Sequence, residues 1–92
     1  KVRTMSIVII DIDGGQGELE HEGEYYSATG SVECTNFDGW VDVENANLVI
    51  CLENSETSTV LQRKSEAYQA VEDMVKTKAK EAVERGENRI FD

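Results

Sequence analysis

Two carboxylates near the start of the chain have the type and spacing to carry chemistry. Asp11 and Asp13 follow the apolar run from Ile7 to Ile10 and stand directly before the glycine-rich segment from Gly14 to Gly17. Carboxylate oxygens are the ligands that hard divalent cations prefer, and positioned acids also serve as general acids and bases. One hypothesis is therefore a small cation-binding or enzymatic site centred on Asp11 and Asp13.

The segment Ile9-Ile10-Asp11-Ile12-Asp13-Gly14 resembles the first motif of the haloacid-dehalogenase-type phosphatases, an apolar strand followed by Asp-x-Asp-Gly. The resemblance implies that Asp11 is a nucleophile and Asp13 an acid/base. It covers six residues, and Gly15 and Gln16 stand where that family continues with Thr and an apolar residue. The family also uses a doubly wound α/β domain, whereas no helix is predicted after this strand.

The same loop partly resembles an EF-hand calcium loop. Asp11, Asp13 and Glu22 stand at its first, third and twelfth positions. Gly15 replaces the usual Asp or Asn at position five, and Gln16 replaces the sharp-turn Gly at position six. The sequence leaves two interpretations open, a weak cation site and a solvated acidic hairpin turn.

A row of acids follows the glycine-rich segment. Glu18, Glu20, Glu22 and Glu24 alternate with other residues, which predicts that they share one face of a strand. Such side chains repeat every ~6.6–6.8 Å, close to twice the ~3.4 Å rise per phosphate along one DNA strand. Asp42 and Glu44 are candidates for a second row. A cationic partner would relieve the repulsion in this row; the alternative is a solubilising face or a charge-guarded edge strand.

These acids lie in a segment that contains acidic residues but neither Lys nor Arg. From Thr4 to Gln62 the chain has twelve acids and neither Lys nor Arg, whereas the segment from Arg63 to Asp92 has seven bases and seven acids. Lys1 and Arg3 are the remaining bases, so the excess behind the net charge of −10 lies in the front of the chain. A one-signed surface steers and selects charged partners.

The aromatic, histidine and cysteine residues give weaker signals. Tyr25 and Trp40 suit either a binding surface or a core. His21 is expected opposite the glutamates, as an ordinary interior or edge residue. Cys34 and Cys51 are isolated, and with one His they cannot supply the usual four ligands of a zinc site. Free thiols are expected, with a bridge possible only if the two lie on neighbouring strands. No cofactor is predicted.

Hydrophobic periodicity defines the elements that must position these residues. Strands are predicted over Met5 to Asp13, Glu18 to about Glu22, Tyr25 to Thr35, Trp40 to Glu44 and Leu48 to Glu53. The first, apolar on both faces, is typical of a central strand. Gly23 allows a bend or a bulge, and turns are predicted at 13–17, 36–39 and 45–47. Thr57 to Gln62 favours a strand over an early helix. A helix is predicted from an N-cap at Ser65 to Gly86, with Ile90 and Phe91 tucking back onto the sheet.

The elements together predict an α+β fold, an antiparallel β meander of about four to five strands with one C-terminal helix packed on one face. We expect a single domain over 1–92, with an acidic sheet part over 1–62 and a charge-balanced helix and tail over 63–92. No apolar run reaches the ~20 residues of a membrane span, and no signal peptide is visible. A cytoplasmic location is the expectation.

The favoured function is a non-enzymatic binding protein whose acidic sheet face docks on a basic protein of the nucleic-acid-binding kind. The chain is similar in size and charge to phage-encoded inhibitors, including DNA mimics and anti-CRISPR proteins, which implies a host cytoplasm. Direct nucleic-acid binding is disfavoured by the sign of the charge. A structural or dimerisation module with Trp40, Tyr25 and Phe37 in its interface is the other alternative. The predicted partner-binding residues are Glu18, Glu20, Glu22, Glu24, Asp42, Glu44, Tyr25 and Trp40.

Overall fold

The computed structural model describes residues 4–91, which form one sheet and one helix. The elements in chain order are β1 (Met5–His21), β2 (Glu24–Phe37), β3 (Trp40–Glu53), β4 (Ser58–Val60) and α1 (Glu66–Glu84). All neighbouring strands pair antiparallel in the order β1-β2-β3-β4, and α1 packs on one side of them. The predicted α+β meander with a C-terminal helix is confirmed, as is a strand within Thr57 to Gln62.

Two-residue turns connect the three long strands. Glu22 and Gly23 join β1 to β2, and Asp38 and Gly39 join β2 to β3; all four residues have positive φ, at 53°, 82°, 54° and 91°. Turns of this kind match the twist of an antiparallel hairpin. The turn predicted at 36–39 is confirmed, and the Asn36 side-chain oxygen accepts a hydrogen bond from the Gly39 amide at 2.9 Å. The bend predicted at Gly23 is wrong, because the chain reverses there.

The glycine-rich segment is a bulge inside β1, so the turn predicted at 13–17 is wrong. Gly14 pairs with Ala28 and Leu19 pairs with Tyr26, which leaves the residues between Gly14 and Leu19 opposite Ser27 alone. Extra residues in one strand bend it without reversing it, and glycines accept the unusual backbone angles that this requires. The first two predicted strands are consequently one long bent strand.

A second bulge replaces the turn predicted at 45–47. Glu33 pairs with Asn45 and Cys34 pairs with Val43, so Glu44 is the extra residue of β3. β3 therefore runs without interruption from Trp40 to Glu53.

The helix is capped at both ends as its sequence predicts. The Ser65 hydroxyl accepts a hydrogen bond from the Tyr68 amide at 3.2 Å. At the other end Gly86 has a φ of 77° and the Glu87 amide donates to the Ala82 carbonyl at 2.8 Å, the pattern of a Schellman motif. These caps satisfy backbone groups that the helix itself leaves without partners.

One stripe of the helix packs against the sheet. Val71, Val75 and Ala79 are fully buried together with Ile10 and Ile50. The Tyr68 hydroxyl donates a 2.9 Å hydrogen bond to the Leu48 carbonyl, which fixes the start of α1 to β3. Beyond the helix, Ile90 and Phe91 pack on the core, as predicted.

The two cysteines lie on adjacent strands but far apart along them. Cys34 pairs with Val43, whereas Cys51 pairs with Ser27. Ser27 and Cys34 are separated along β2 by about 23 Å at the usual rise per residue, and disulfide geometry requires Cα atoms within about 7 Å. Both thiols are free, and burial raises the pKa of the Cys34 thiol.

Replacing Val71 by Asp is expected to destabilise the protein by several kcal/mol, on the order of the cost of an unpaired buried charge. Thermal and denaturant melts measure the loss. Gln69→Asp, on the exposed side of the same helix, is the matched control and should change stability by less than about 1 kcal/mol. Equal melting of both variants would show that α1 does not pack through this stripe.

Candidate functional site

The sheet has one face covered by α1 and one face open to solvent. Strand alternation places Ile10, Val32 and Ile50 on the covered face, where they are fully buried. The residues between them point to the other side, which we call the open face. The large hydrophobic residues that remain exposed all fall on this open face: Met5, Ile7, Ile9, Tyr25, Phe37, Trp40, Val49 and Val60.

Exposed apolar side chains are concentrated at one end of the open face. Met5 pairs with Phe37, and Phe37 pairs with Trp40, so the three residues form a row across β1, β2 and β3. Trp40 is 79% exposed and Met5 is 59% exposed. Ile7 and Ile9 continue the apolar surface along β1. We call these five residues, Met5, Ile7, Ile9, Phe37 and Trp40, the apolar corner.

Most acids of the sheet also lie on the open face. The Thr35 hydroxyl donates a 3.0 Å hydrogen bond to a Glu44 carboxylate oxygen beside the apolar corner. Arg63 reaches the margin of the face, where its guanidinium donates to the Asn47 side chain at 3.1 Å. The acids that alternation and pairing place on the open face are Asp11, Asp13, Glu18, Glu20, Glu33, Asp42, Glu44 and Glu53.

The predicted single row of four glutamates does not exist, because the hairpin turn cuts through it. Glu18 and Glu20 flank the buried Leu19 and lie on the open face. Glu22 lies in the turn. Glu24 is on β2 and shares the covered side of the sheet with Tyr26. Burial raises the pKa of the Tyr26 hydroxyl, and the carboxylates of Glu24 and Glu22 raise it further.

The remaining predicted binding residues lie where alternation places them. Asp42 and Glu44 are exposed on β3, and Trp40 belongs to the apolar corner. Tyr25 is 46% exposed and pairs with Glu20 on one side and Glu53 on the other. The two aromatic residues are thus surface residues and not core.

Sequence reasoning missed the β1 half of the apolar corner. The run around Ile7 and Ile9 predicted a central strand, but β1 is an edge strand, so that prediction is wrong. Ile7 and Ile9 are 59% and 61% exposed. Apolar residues on both faces of a strand indicate burial on both faces only if both faces are covered, and none of the described elements covers the open face. The sequence holds no signal that separates the two situations.

Glu53 is a second residue that the sequence did not single out. Its Oε2 atom accepts hydrogen bonds from the hydroxyls of Ser27 at 2.6 Å and of Ser58 at 2.8 Å. These two bonds lower the pKa of the Glu53 carboxyl, Ser27 contributing most. The cluster ties β4 to the sheet. Neither serine has a histidine beside it, since His21 lies on the covered side, opposite Glu24.

Asp11 and Asp13 line an open cleft. Among residues 4–91 no third metal-ligating side chain is arranged with them to hold an ion. The cleft of about 430 Å³ lies between these two residues and the tail from Asn88 to Phe91. Glu22 lies beyond the β1 bulge, in the hairpin turn, so the EF-hand positions do not converge. Within residues 4–91 no group of three or more His, Cys, Asp or Glu side chains is arranged to hold a metal ion. The strand that carries Asp11 leads into a bulge and not into the helix of a phosphatase motif.

Comparisons with protein-family models, with curated proteins and with solved structures found no match to this chain. In the part of the chain that the structure describes, no helix has the length and apolar character needed to cross a membrane.

Calcium is expected to bind no more tightly than about 10⁻⁴–10⁻³ M, the range of weak sites, because only Asp11 and Asp13 of the loop ligands are adjacent. Isothermal titration calorimetry with Ca²⁺ measures this, with Asp13→Asn as the matched variant. Micromolar binding that Asp13→Asn abolishes would instead support a cation site at this cleft.

Protonation of Glu53 is expected to destabilise the fold. Its folded pKa is lowered from the ordinary value of 4.5, so its contribution is present above that value and is lost as pH falls through the lower folded pKa. Glu53→Gln should therefore lose less stability than the parent between neutral pH and about pH 3. Urea melts across this range test it, with the exposed Glu56→Gln as control. Parallel pH profiles of parent and Glu53→Gln would contradict the assignment.

Proposed function

We propose that this protein is a non-enzymatic binding protein that docks its open face on a basic surface of another protein. The observation that carries the proposal is the coincidence of two features on one face. The exposed large hydrophobic residues and most of the sheet acids share it, and no Lys or Arg occurs from Thr4 to Gln62.

The apolar corner and the acids of the open face contribute to different steps of binding. Tryptophan is one of the residue types enriched at interface hot spots, and Trp40 with Met5 offers such an anchor. The surrounding carboxylates create a field that accelerates encounter with a cationic partner and rejects acidic ones. A surface that served solubility alone would need the acids but not the apolar corner.

The partner class follows from the charge. Surfaces that bind nucleic acid are basic because they contact phosphates, and rows of carboxylates on paired strands present negative charge in a comparable dense array. We therefore propose a nucleic-acid-binding protein or complex as the partner, with the open face occupying its phosphate-binding surface. This is the mode of action of an inhibitor that mimics nucleic acid.

The double variant Glu18→Lys plus Glu20→Lys tests the proposal, since both residues are exposed on the open face. It should weaken association with a basic nucleic-acid-binding protein about tenfold or more and flatten the salt dependence of the association rate. Candidates come from a lysate pull-down eluted with a salt gradient, and purified proteins are then measured by surface plasmon resonance. Competition with a DNA or RNA ligand of the same protein is expected.

The matched control is Glu81→Lys plus Glu84→Lys, which changes the net charge equally on exposed positions of α1. This pair should weaken binding far less. If both pairs weaken binding equally, overall charge is responsible and the open face is no docking surface. If Trp40→Ala and the Glu18/Glu20 pair both leave binding unchanged, the proposal is wrong.

A further inference from the structure

Within residues 4–91 the outer edge of β1 is unpaired, and part of it carries nothing that prevents pairing. β1 is the first strand of the sheet and has a neighbour on one side only. From Met5 to Ile10 it contains no charge, no Pro and no Gly. Edge strands normally carry such residues or a bulge, because a free ladder of amides and carbonyls is a template for another strand. Here these devices begin only at Asp11 and at the bulge after Gly14.

The same strand is self-complementary when two copies run antiparallel. With Ile7 opposite Ile7, Met5 lies beside the partner's Ile9, so three exposed apolar positions meet one another. From Met5 to Ile10 the strand carries no charged residue, so this pairing sets no like charges opposite one another.

We infer that β1 pairs with β1 of a second copy of this chain, across a twofold axis at Ile7. Twofold symmetry is the commonest symmetry of soluble dimers. Here the axis is perpendicular to the sheet, which keeps both open faces on the same side. The two apolar corners then adjoin along the shared strands, and each copy's edge is closed. A second copy fits better than an unrelated basic peptide because the facing positions Met5, Ile7 and Ile9 are apolar and uncharged. The inference does not depend on the basic partner proposed above.

Sedimentation equilibrium over a concentration series measures the self-association. The parent should show a monomer–dimer equilibrium, and Ile7→Lys should weaken it about tenfold or more, because the axis places the two lysines against each other. Val60→Lys is the matched control, since Val60 is equally apolar, 65% exposed against 59% for Ile7, and on the far strand β4. It should leave the dimer unchanged. A parent that stays monomeric throughout the series overturns the inference.

An introduced charge pair tests the register. Met5→Asp alone and Ile9→Lys alone should each weaken the dimer several-fold, because each sets a charge opposite an apolar side chain, and the double variant should recover much of the loss, because the two new charges are opposite in sign and face each other across the axis. Circular dichroism confirms that each variant is folded. A double variant no better than the two single ones, or a dimer disrupted by Val60→Lys as strongly as by Ile7→Lys, rules out the β1 pairing.

Discussion

The structure depends on the burial of one face of a long sheet by one helix. α1 has 19 residues, a length of about 28 Å, whereas the longest axis of the molecule is 56 Å. Its buried side chains pack over Ile10, Leu48 and Ile50. Among the elements described in residues 4–91, no second helix covers the opposite face of the sheet. This asymmetry determines which side chains are exposed, because successive residues of each strand point alternately to the buried face and to the solvent-exposed face.

The open face combines two kinds of side chain that a purely structural surface rarely combines. Neighbouring carboxylates repel one another, and the exposure of Met5, Ile7 and Trp40 to water is unfavourable. Both costs fall if the face is covered by a partner that is basic and offers apolar pockets. Hydrogen bonds such as those from Ser27 and Ser58 to Glu53 stabilise individual carboxylates, but they leave the net charge of the face unchanged.

β1 contributes to two different surfaces, the open face and the outer edge of the sheet. The side chains of Ile7 and Ile9 belong to the face, whereas the outward backbone groups of β1 belong to the edge. Strand pairing across the edge uses main-chain hydrogen bonds and sets the register, while docking on the face uses side chains and charge. A dimer would therefore enlarge the acidic and apolar surface without consuming it.

The sequence by itself determined the covered face, the helix and the fold class. Period-two alternation around Val32 and Cys34, the Ser65 cap, the valine stripe of α1 and the turn at Asp38-Gly39 are local signals, and each acts through backbone geometry or near neighbours. Alternation likewise placed Asp42 on the exposed side of its strand, whereas for Tyr25 and Trp40 the sequence left both a binding surface and a core open.

Only the tertiary structure decided where the chain reverses and which strand lies at the edge. Glycines permit both a turn and a bulge, and the choice depends on pairing with a distant strand: Leu19 enters the core opposite Tyr26, which keeps Gly14 to Gly17 within β1 and moves the reversal to Gly23. That shift divided the predicted glutamate row and assembled the apolar corner from residues more than thirty positions apart, such as Met5 and Trp40. Burial of an apolar strand depends on the number of elements available to cover it, which local sequence does not encode.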